Sequence, residues 1–372
     1  MRVSTHLRRP PQRRPPQRRP PLRLAGLLTV SVLFAAGCGG TSTSTPTTGT
    51  TGSAAPTGTS ASGTSSASKA PRNLTVLLDW FPNPDHVALY VAQQQGYFTD
   101  AGLKVTLQAP SDPTDPPKLV STGKVELGIS YEPEMFFSRV NGLDVKAVGA
   151  LIPTALNSVI AVAKSPVKTP ADLGGRTVGN SGQATDSAFL NAILARYKVD
   201  AKTVKNVTVK TSLVEAMISG GVDATIGGYR NIEAIQLAAE GYQPSVTPVT
   251  QAGVPDYEEL VVIANGHRLG ADPEYQQLVR DFLAALAKGG QRAQADKAAA
   301  EAALKDVAKD YNPKELTQMI DATLPLLTGP GGFGAMDATQ WDAFGSYLKA
   351  GGLITKQVPA AEVMTTDFLP KG

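Results

Sequence analysis

The stretch Leu-Asp-Trp-Phe-Pro-Asn-Pro-Asp-His, residues 78–86, gathers Asp79, Trp80, Asn83 and His86 into eight positions. The whole chain of 372 residues holds only two tryptophans and three histidines. An indole offers a flat apolar face on which a ring can stack. An amide such as Asn83 donates and accepts from one side chain, which suits ring nitrogens and exocyclic amines. A carboxylate such as Asp79 accepts from an amine, and the His86 imidazole, in the first turn of a helix, can hydrogen-bond a bound ring. Each residue also has a plainer use. Trp80 can fill a core or a domain interface, Asp79 can cap the helix that follows, and a lone helical histidine can be structural.

A second group repeats these side-chain types. Tyr131-Glu132 and Tyr229-Arg230-Asn231, with Glu233 close behind, each follow a strand that ends in small residues. Tyr131 and Tyr229 are candidate aromatic plates for a flat molecule, Asn231 a second amide, and Glu233 an acceptor for an amine or a partner for Arg230. Asn157 and Ser158 stand where the chain would cross between two halves. Ser181-Gly182-Gln183 follows a strand and opens a helix, so its free backbone N–H groups could take an oxygen or an anion.

Bond-making chemistry is poorly served. An enzyme needs a nucleophile with its base, convergent acids or a metal cage. Asn-Ser-Gly-Gln-Ala at 180–184 is not a nucleophile elbow, and the Gly-Pro-Gly-Gly turn at 329–332 lacks a P-loop lysine. Only His6 and His267 accompany His86, so a histidine-based metal cluster cannot form. A binding protein without catalytic residues or cofactor is expected.

Alternating elements position these groups. Residues 73–79 read as a buried strand and 85–96 as a helix with apolar positions at helical spacing. Strands follow near 103–109, 125–130 and 145–151, with short helices between, and the same grammar restarts after residue 164. Strands alternating with helices predict an α/β protein with mostly parallel, helix-covered sheets. From 272 onward four helices are expected, at 274–288, 295–309, 313–321 and 337–350. Leu-Val-Ser-Thr-Gly-Lys-Val-Glu-Leu-Gly-Ile-Ser (119–130) and Ala-Met-Ile-Ser-Gly-Gly-Val-Asp-Ala-Thr-Ile-Gly-Gly (216–228) share a helix, a glycine turn, an acid and a strand. Ligands of parallel sheets bind beyond the carboxyl ends of the strands, and two such lobes face to face predict a cleft.

The front of the chain reads as an address. Its first 23 residues hold eight arginines and no acid, and Leu24–Ala36 is an uncharged, mostly apolar run, too short to span a bilayer. A basic segment, a short apolar segment and small residues describe an export signal over 1–37. Ala-Ala-Gly-Cys at 35–38, with the chain's sole cysteine, resembles a bacterial lipobox, which makes Cys38 the expected lipidation site and membrane anchor. Residues 39–70 are almost all Gly, Ser, Thr, Ala and Pro, with Lys69 the only charge, the composition of a flexible tether. Loss of 1–37 takes eight positive charges with it, so a formal charge of +3 becomes −5, and the basic balance offers no support for nucleic-acid binding. Residues 71–372 are long enough for two domains.

The run 77–98, together with Gly-Ile-Ser-Tyr-Glu-Pro-Glu (128–134), Leu-Asn-Ser-Val-Ile-Ala-Val (156–162), Asp-Leu-Gly-Gly-Arg-Thr-Val-Gly (172–179) and Gly-Gly-Tyr-Arg-Asn-Ile-Glu (227–233), resembles the NMT1/THI5-like family over roughly 73–265. The resemblance implies a type II periplasmic-binding-protein fold of two hinged lobes: 71–161 with the returning helical part 266–372, and 162–265. It implies a monomeric, extracytoplasmic solute receptor that serves the permease and ATPase of an ABC importer. Bacterial members of the nearest branch bind thiamine-pyrimidine precursors such as formylaminopyrimidine, and others resemble receptors for riboflavin or for small nitrogenous or sulfonated molecules. The eukaryotic branch makes the pyrimidine and consumes a histidine of its own. His86 matches that histidine, but the cysteine-rich segment of that branch is missing here. The resemblance strengthens ligand contact for Trp80, Asn83, His86 and Tyr229. Arg230 departs from the tryptophan of close bacterial receptors and leaves room for an anionic heterocycle.

Overall fold

The computed structural model describes residues 70–371. The expected export signal, Cys38 and all of the tether but Ala70 lie outside the described residues. Two five-stranded sheets, one per lobe, carry the described chain.

The first lobe opens with β1 (Arg72–Leu77), a 3-10 turn (Pro84–His86), α1 (Val87–Gln94), α2 (Tyr97–Asp100), β2 (Leu103–Gln108), α3 (Asp115–Ser121), β3 (Leu127–Ser130), α4 (Glu132–Val140) and β4 (Val145–Ile152). The second holds β5 (Asn157–Val162), β6 (Thr177–Asn180), α5 (Ala184–Arg196), β7 (Lys205–Thr208), α6 (Leu213–Ser219), β8 (Ala224–Tyr229), α7 (Glu233–Ala239) and β9 (Pro244–Pro248). The chain then returns through β10 (Leu260–Asn265), α8 (Gly266–Ala271), α9 (Pro273–Ala295), α10 (Lys297–Leu304), α11 (Pro313–Thr323), α12 (Ala338–Ala350) and α13 (Ala360–Val363).

Strand order is β2-β1-β3-β10-β4 in the first sheet and β7-β6-β8-β5-β9 in the second. The two orders share one plan. Three strands run parallel, a fourth is antiparallel to its neighbours on both sides, and the fifth resumes the common direction. The α/β reading holds, with four of five strands aligned in each sheet. The reversed strands are β5 and β10, the first that the chain lays down after each crossing. The crossings therefore fall at 153–156 and 249–259, a strand earlier than the expected boundaries at 161/162 and 265/266. An apolar run such as Leu260–Asn265, buried at every position, carries no local mark of which sheet it joins.

The returning helices complete the first lobe. The expected helices 274–288 and 295–309 are instead one 23-residue helix, α9, followed by α10, which Asp296 caps by accepting from Ala298 N and Ala299 N. Helix α9 lies directly on α1: a Cβ at Gly289 would sit 2.3 Å from the Ala88 carbonyl oxygen, so only glycine permits that approach. Phe98 and Phe282 stack at 5.1 Å beside it. This packing fixes α1, and with it the Asp79–His86 segment. On the other side, Phe344 of α12 meets Phe189 of α5 at 6.4 Å and Tyr257 at 5.3 Å, so an aromatic core bridges the lobes. Trp341 is wholly buried there; Trp80 is only partly so. No described helix is long and apolar enough to cross a membrane.

Candidate functional site

Between the lobes lies a cavity with about 490 Å³ of space outside protein atoms, its mouth included. The first sheet supplies the residues just past its strands: Asp79 and Trp80 after β1, Asn83 in the turn beyond, and Tyr131 after β3. The second supplies Gly227 and Tyr229 at the end of β8 and Ser181 after β6, with Glu233 opening α7. The reversed strands contribute their beginnings, Asn157 of β5 and Glu259 just ahead of β10. An antiparallel strand starts where its neighbours end, so both kinds of strand converge on one edge; Asn157 pairs directly with Tyr229.

The polar lining is tightly wired. Asp79 Oδ1 lies 2.8 Å from His86 Nε2, and Asp79 Oδ2 accepts from the Tyr131 hydroxyl at 2.9 Å. Asn83, not Asp79, caps the following turn: its Oδ1 accepts from Asp85 N at 2.8 Å. In the second lobe Asp186 accepts from Ser181 N at 2.9 Å and from Ser181 Oγ at 2.5 Å. Asn157 donates to Asp186 Oδ1 at 3.4 Å and accepts from Gly227 N at 3.0 Å. Gly227 has φ +93°, and a Cβ there would stand 2.7 Å from both Asp186 oxygens. Glu233 Oε2 accepts from Tyr229 N at 2.6 Å. Glu259 Oε2 accepts from Leu156 N at 2.6 Å and Asn157 N at 2.8 Å, so one lining carboxylate ties the second crossing to the first.

Four carboxylates, from Asp79, Asp186, Glu233 and Glu259, line the cavity, and among the described residues no lysine or arginine does. Burial pushes Asp186, Glu233 and Glu259 up to about 7 each, against hydrogen bonds that pull them down. Burial likewise holds the Tyr131 and Tyr229 hydroxyls well above their usual range, hence neutral. Such a site favours N–H donors and positive charge.

Of the expected residues, Asp79, Trp80, Asn83, Tyr131, Asn157, Ser181, Tyr229 and Glu233 line the cavity; six others do not. His86 is fully buried, its ring held between Asp79 and Asn83 N. Glu132 turns the other way, accepting from Glu258 N and Gln340 Nε2. Ser158 donates to Leu156 O. Gly182 N is spent on Asn180 Oδ1 and Ser181 N on Asp186, so the expected anion cradle is already filled by the chain's own acceptors. Arg230 donates to Ala155 O on the outer side of the crossing. Asn231 points to Asp85 and Thr323. Gln183, expected for its backbone N–H, also lines the cavity; sequence reasoning missed Thr185, Asp186, Gly227, Ile232 and Glu259. The signal for Glu259 was the acidic pair Glu258-Glu259 directly ahead of the apolar run 260–264; Asp186 carried none.

The lobes also touch around the cavity rim. Asn231 Nδ2 of the second lobe donates to Asp85 Oδ1 at 2.6 Å and to Thr323 Oγ1 at 2.8 Å. Thr185 N and Oγ1 donate to Glu134 Oε1 at 2.9 and 2.6 Å. Gln183 Nε2 donates to Pro113 O at 2.7 Å. Among the described residues no cluster of His, Cys, Asp and Glu is arranged to hold a metal ion.

A family model described as NMT1/THI5 like matches residues 83–300. A "Putative thiamine biosynthesis protein" of Haemophilus influenzae is 35% identical over 300 residues, 79% of this chain and 92% of that protein. A "Formylaminopyrimidine-binding protein" of Halalkalibacterium halodurans is 31% identical, over 82% of this chain and 92% of its own length. More distant is a "4-amino-5-hydroxymethyl-2-methylpyrimidine phosphate synthase" of Aspergillus parasiticus, 27% identical over 61% of this chain and 68% of that one. Among solved structures, the alkanesulfonate-binding protein SsuA from Xanthomonas axonopodis pv. citri, bound to MOPS, superposes with a TM-score of 0.62 at 17% identity, over 80% of this chain and 99% of that one. That likeness bears out the two-lobed type II fold.

Proposed function

The chain belongs to the NMT1/THI5-like family, and on that premise we propose that it is an extracytoplasmic solute receptor. It captures an amine-bearing heterocycle, a thiamine pyrimidine precursor of the formylaminopyrimidine type, and hands it to the permease and ATPase of an ABC importer. In this reading residues 1–37 act as an export signal and lipid on Cys38 holds it, as a monomer, to the outer face of the cell membrane.

The observation that carries the ligand class is the acidic, cation-free cavity with Trp80, Tyr131 and Tyr229 on its walls. An aminopyrimidine has a flat face for the rings and N–H donors for the carboxylates. A sulfonate, phosphate or other anion would be buried beside carboxylates with no counter-charge, which costs several kcal/mol. With Arg230 directed away from the cavity, the anionic-heterocycle alternative loses its one basic residue. Similarity to a synthase keeps an enzymatic reading in view. His86, the residue that reading would consume, has both ring nitrogens engaged and no exposure, which favours a receptor.

Mass spectrometry of the small molecule that co-purifies, followed by calorimetry with formylaminopyrimidine and with riboflavin, tests the reading. A one-to-one complex with the pyrimidine, released unchanged, supports it; an altered product or preference for the flavin refutes it. Trp80→Ala should weaken the pyrimidine by about 1.5–3 kcal/mol through lost ring burial, and unchanged affinity would remove Trp80 from the site.

A further inference from the structure

Asp85 is wholly buried at the seam between the lobes, in the 3-10 turn ahead of α1. Its Oδ1 accepts from Asn231 Nδ2 of the second lobe at 2.6 Å and from Thr323 Oγ1 at 3.4 Å. The other hydrogen of the Asn231 amide goes to Thr323 Oγ1 at 2.8 Å. Two acceptors are left over, Asp85 Oδ2 and Asn231 Oδ1, both buried and both without a donor. They are the remaining atoms of the two groups already joined. One proton satisfies both: placed on Oδ2, it makes Asp85 an acid whose O–H donates to Asn231 Oδ1, while Oδ1 goes on accepting from the amide. Without it, closure buries a carboxylate oxygen and an amide oxygen unpaired, each at the cost of its desolvation.

Among the described residues no lysine or arginine pairs with Asp85. His86, next in the turn, accepts from Asn83 N at Nδ1, so its proton sits on Nε2 toward Asp79. The other titratable groups around the seam are Asp79 in the same segment, Glu233 of α7, and Tyr311 with Asp310 and Glu315 at the start of α11. They are acids and a phenol. Burial is the largest influence on the Asp85 carboxyl and raises it, and the Asn231 bond is the largest that opposes.

Resting on the receptor reading, we infer that the lobes close on a proton: Asp85 is neutral in the closed form and joins Asn231 in a cyclic acid–amide pair across the seam. Parting the lobes gives the carboxyl group to water, where it ionises at about 4. Closure therefore takes up a proton. Its help is complete below that open-form value and is lost as pH rises through the higher, closed-form one. Asp85 does not line the cavity, so it is a positioning residue, and through it the surrounding pH sets how firmly the lobes hold a solute.

Asparagine at this position would keep the ring and remove its titration, because an amide donates to Asn231 Oδ1 and accepts from Nδ2 as the acid does. Formylaminopyrimidine is titrated calorimetrically into wild type, Asp85→Asn and Asp85→Ala at pH 5 and pH 8. The Asp85 carboxyl carbon, assigned by its absence from either variant, is followed by NMR with and without the pyrimidine. Asp85→Asn should bind within about threefold of wild type at pH 5 and about tenfold tighter than wild type at pH 8, and Asp85→Ala more weakly than wild type at pH 5. The cavity carboxylates are common to all three proteins, so the difference between wild type and Asp85→Asn reads Asp85. With solute bound, the carboxyl carbon should titrate at about 7. Titration at about 4 in the complex, or parallel pH profiles for wild type and Asp85→Asn, overturns the paired proton and leaves the receptor reading standing. If the pyrimidine binds to none of the three, that ligand reading falls. The solute-free protein then decides the pair alone: titration at about 7 keeps it, and at about 4 refutes it.

Discussion

Asn231 gives the sharpest test of whether contact between the lobes sets affinity. Its amide lies on the second lobe and donates across the cleft to Asp85 at 2.6 Å and to Thr323 at 2.8 Å. All three residues are buried, Asp85 and Thr323 completely. Burial holds Asp85 up at about 7, and the Asn231 bond is the largest effect opposing that rise. Asn231→Ala removes both bonds from the closed form and leaves a buried carboxyl group without its amide donor. A bond to a charged or partly charged group is worth about 1.5–3 kcal/mol and a neutral one about 0.5–1.5, so closure loses about 2–4 kcal/mol. With the lobes parted, water satisfies the same groups and nothing is lost. A solute trapped by closure then binds about 30-fold to several hundredfold more weakly. Calorimetry reads the affinity, and the unfolding midpoint of the ligand-free protein, expected to move by less than about 3 °C, separates loss of closure from loss of fold. Affinity within twofold of wild type, with the fold intact, would refute the reasoning.

The surface pair Lys210–Asp112 also joins the lobes, at 2.9 Å, but the lysine side chain is 63% exposed; Lys210→Ala should change affinity by less than about threefold in a titration at physiological salt. Gly227→Ala forces a side chain at φ +93° against Asp186, so it should cost at least about 1–2 kcal/mol of stability and also weaken binding, as melting and calorimetry would report together. The pH dependence follows from Asp186, Glu233 and Glu259, which burial raises from the ordinary carboxylate range to about 7. A raised acid stabilises the folded form fully below its unfolded value near 4, and that contribution is lost as pH rises through 7. The ligand-free protein should therefore melt several degrees lower at pH 8 than at pH 5, with a smaller difference in Glu233→Gln. A cationic solute pulls these groups back down, so its binding should release protons and strengthen from pH 5 to 8, which calorimetry in buffers of different ionisation enthalpy detects.

Asp79, Trp80, Tyr131 and Tyr229 were legible because they end or soon follow strands whose apolar runs announce themselves, and ligands gather at such ends. The same rule overlooked Glu259, which precedes its strand, because it holds only where strands run in the common direction. Asp186 sits in the first turn of α5, and nothing nearby in sequence shows that Gly227, some forty residues on, will close against it. His86 and Asn231 had suitable chemistry at suitable spacing, yet the chain spends both on itself. Whether a polar side chain faces a solute or its own neighbours depends on long-range partners such as Tyr131 and Thr323, which spacing does not encode. Arg230 misled for a related reason: the Leu156 carbonyl holds its backbone N–H and the Ala155 carbonyl its side chain, turning its charge outward.

Because Asp256 and Glu259 grip the backbone of 155–157, the second lobe leaves and rejoins the first at a single point. Residues 153–259 are thus a cassette with its two ends side by side. Such a cassette can be exchanged between relatives without rerouting the rest of the polypeptide. Half of each recognition surface can therefore diversify while the half that carries the returning helices stays unaltered, and a fluorescent reporter spliced at 153–156 would sit where the chain passes between the two halves.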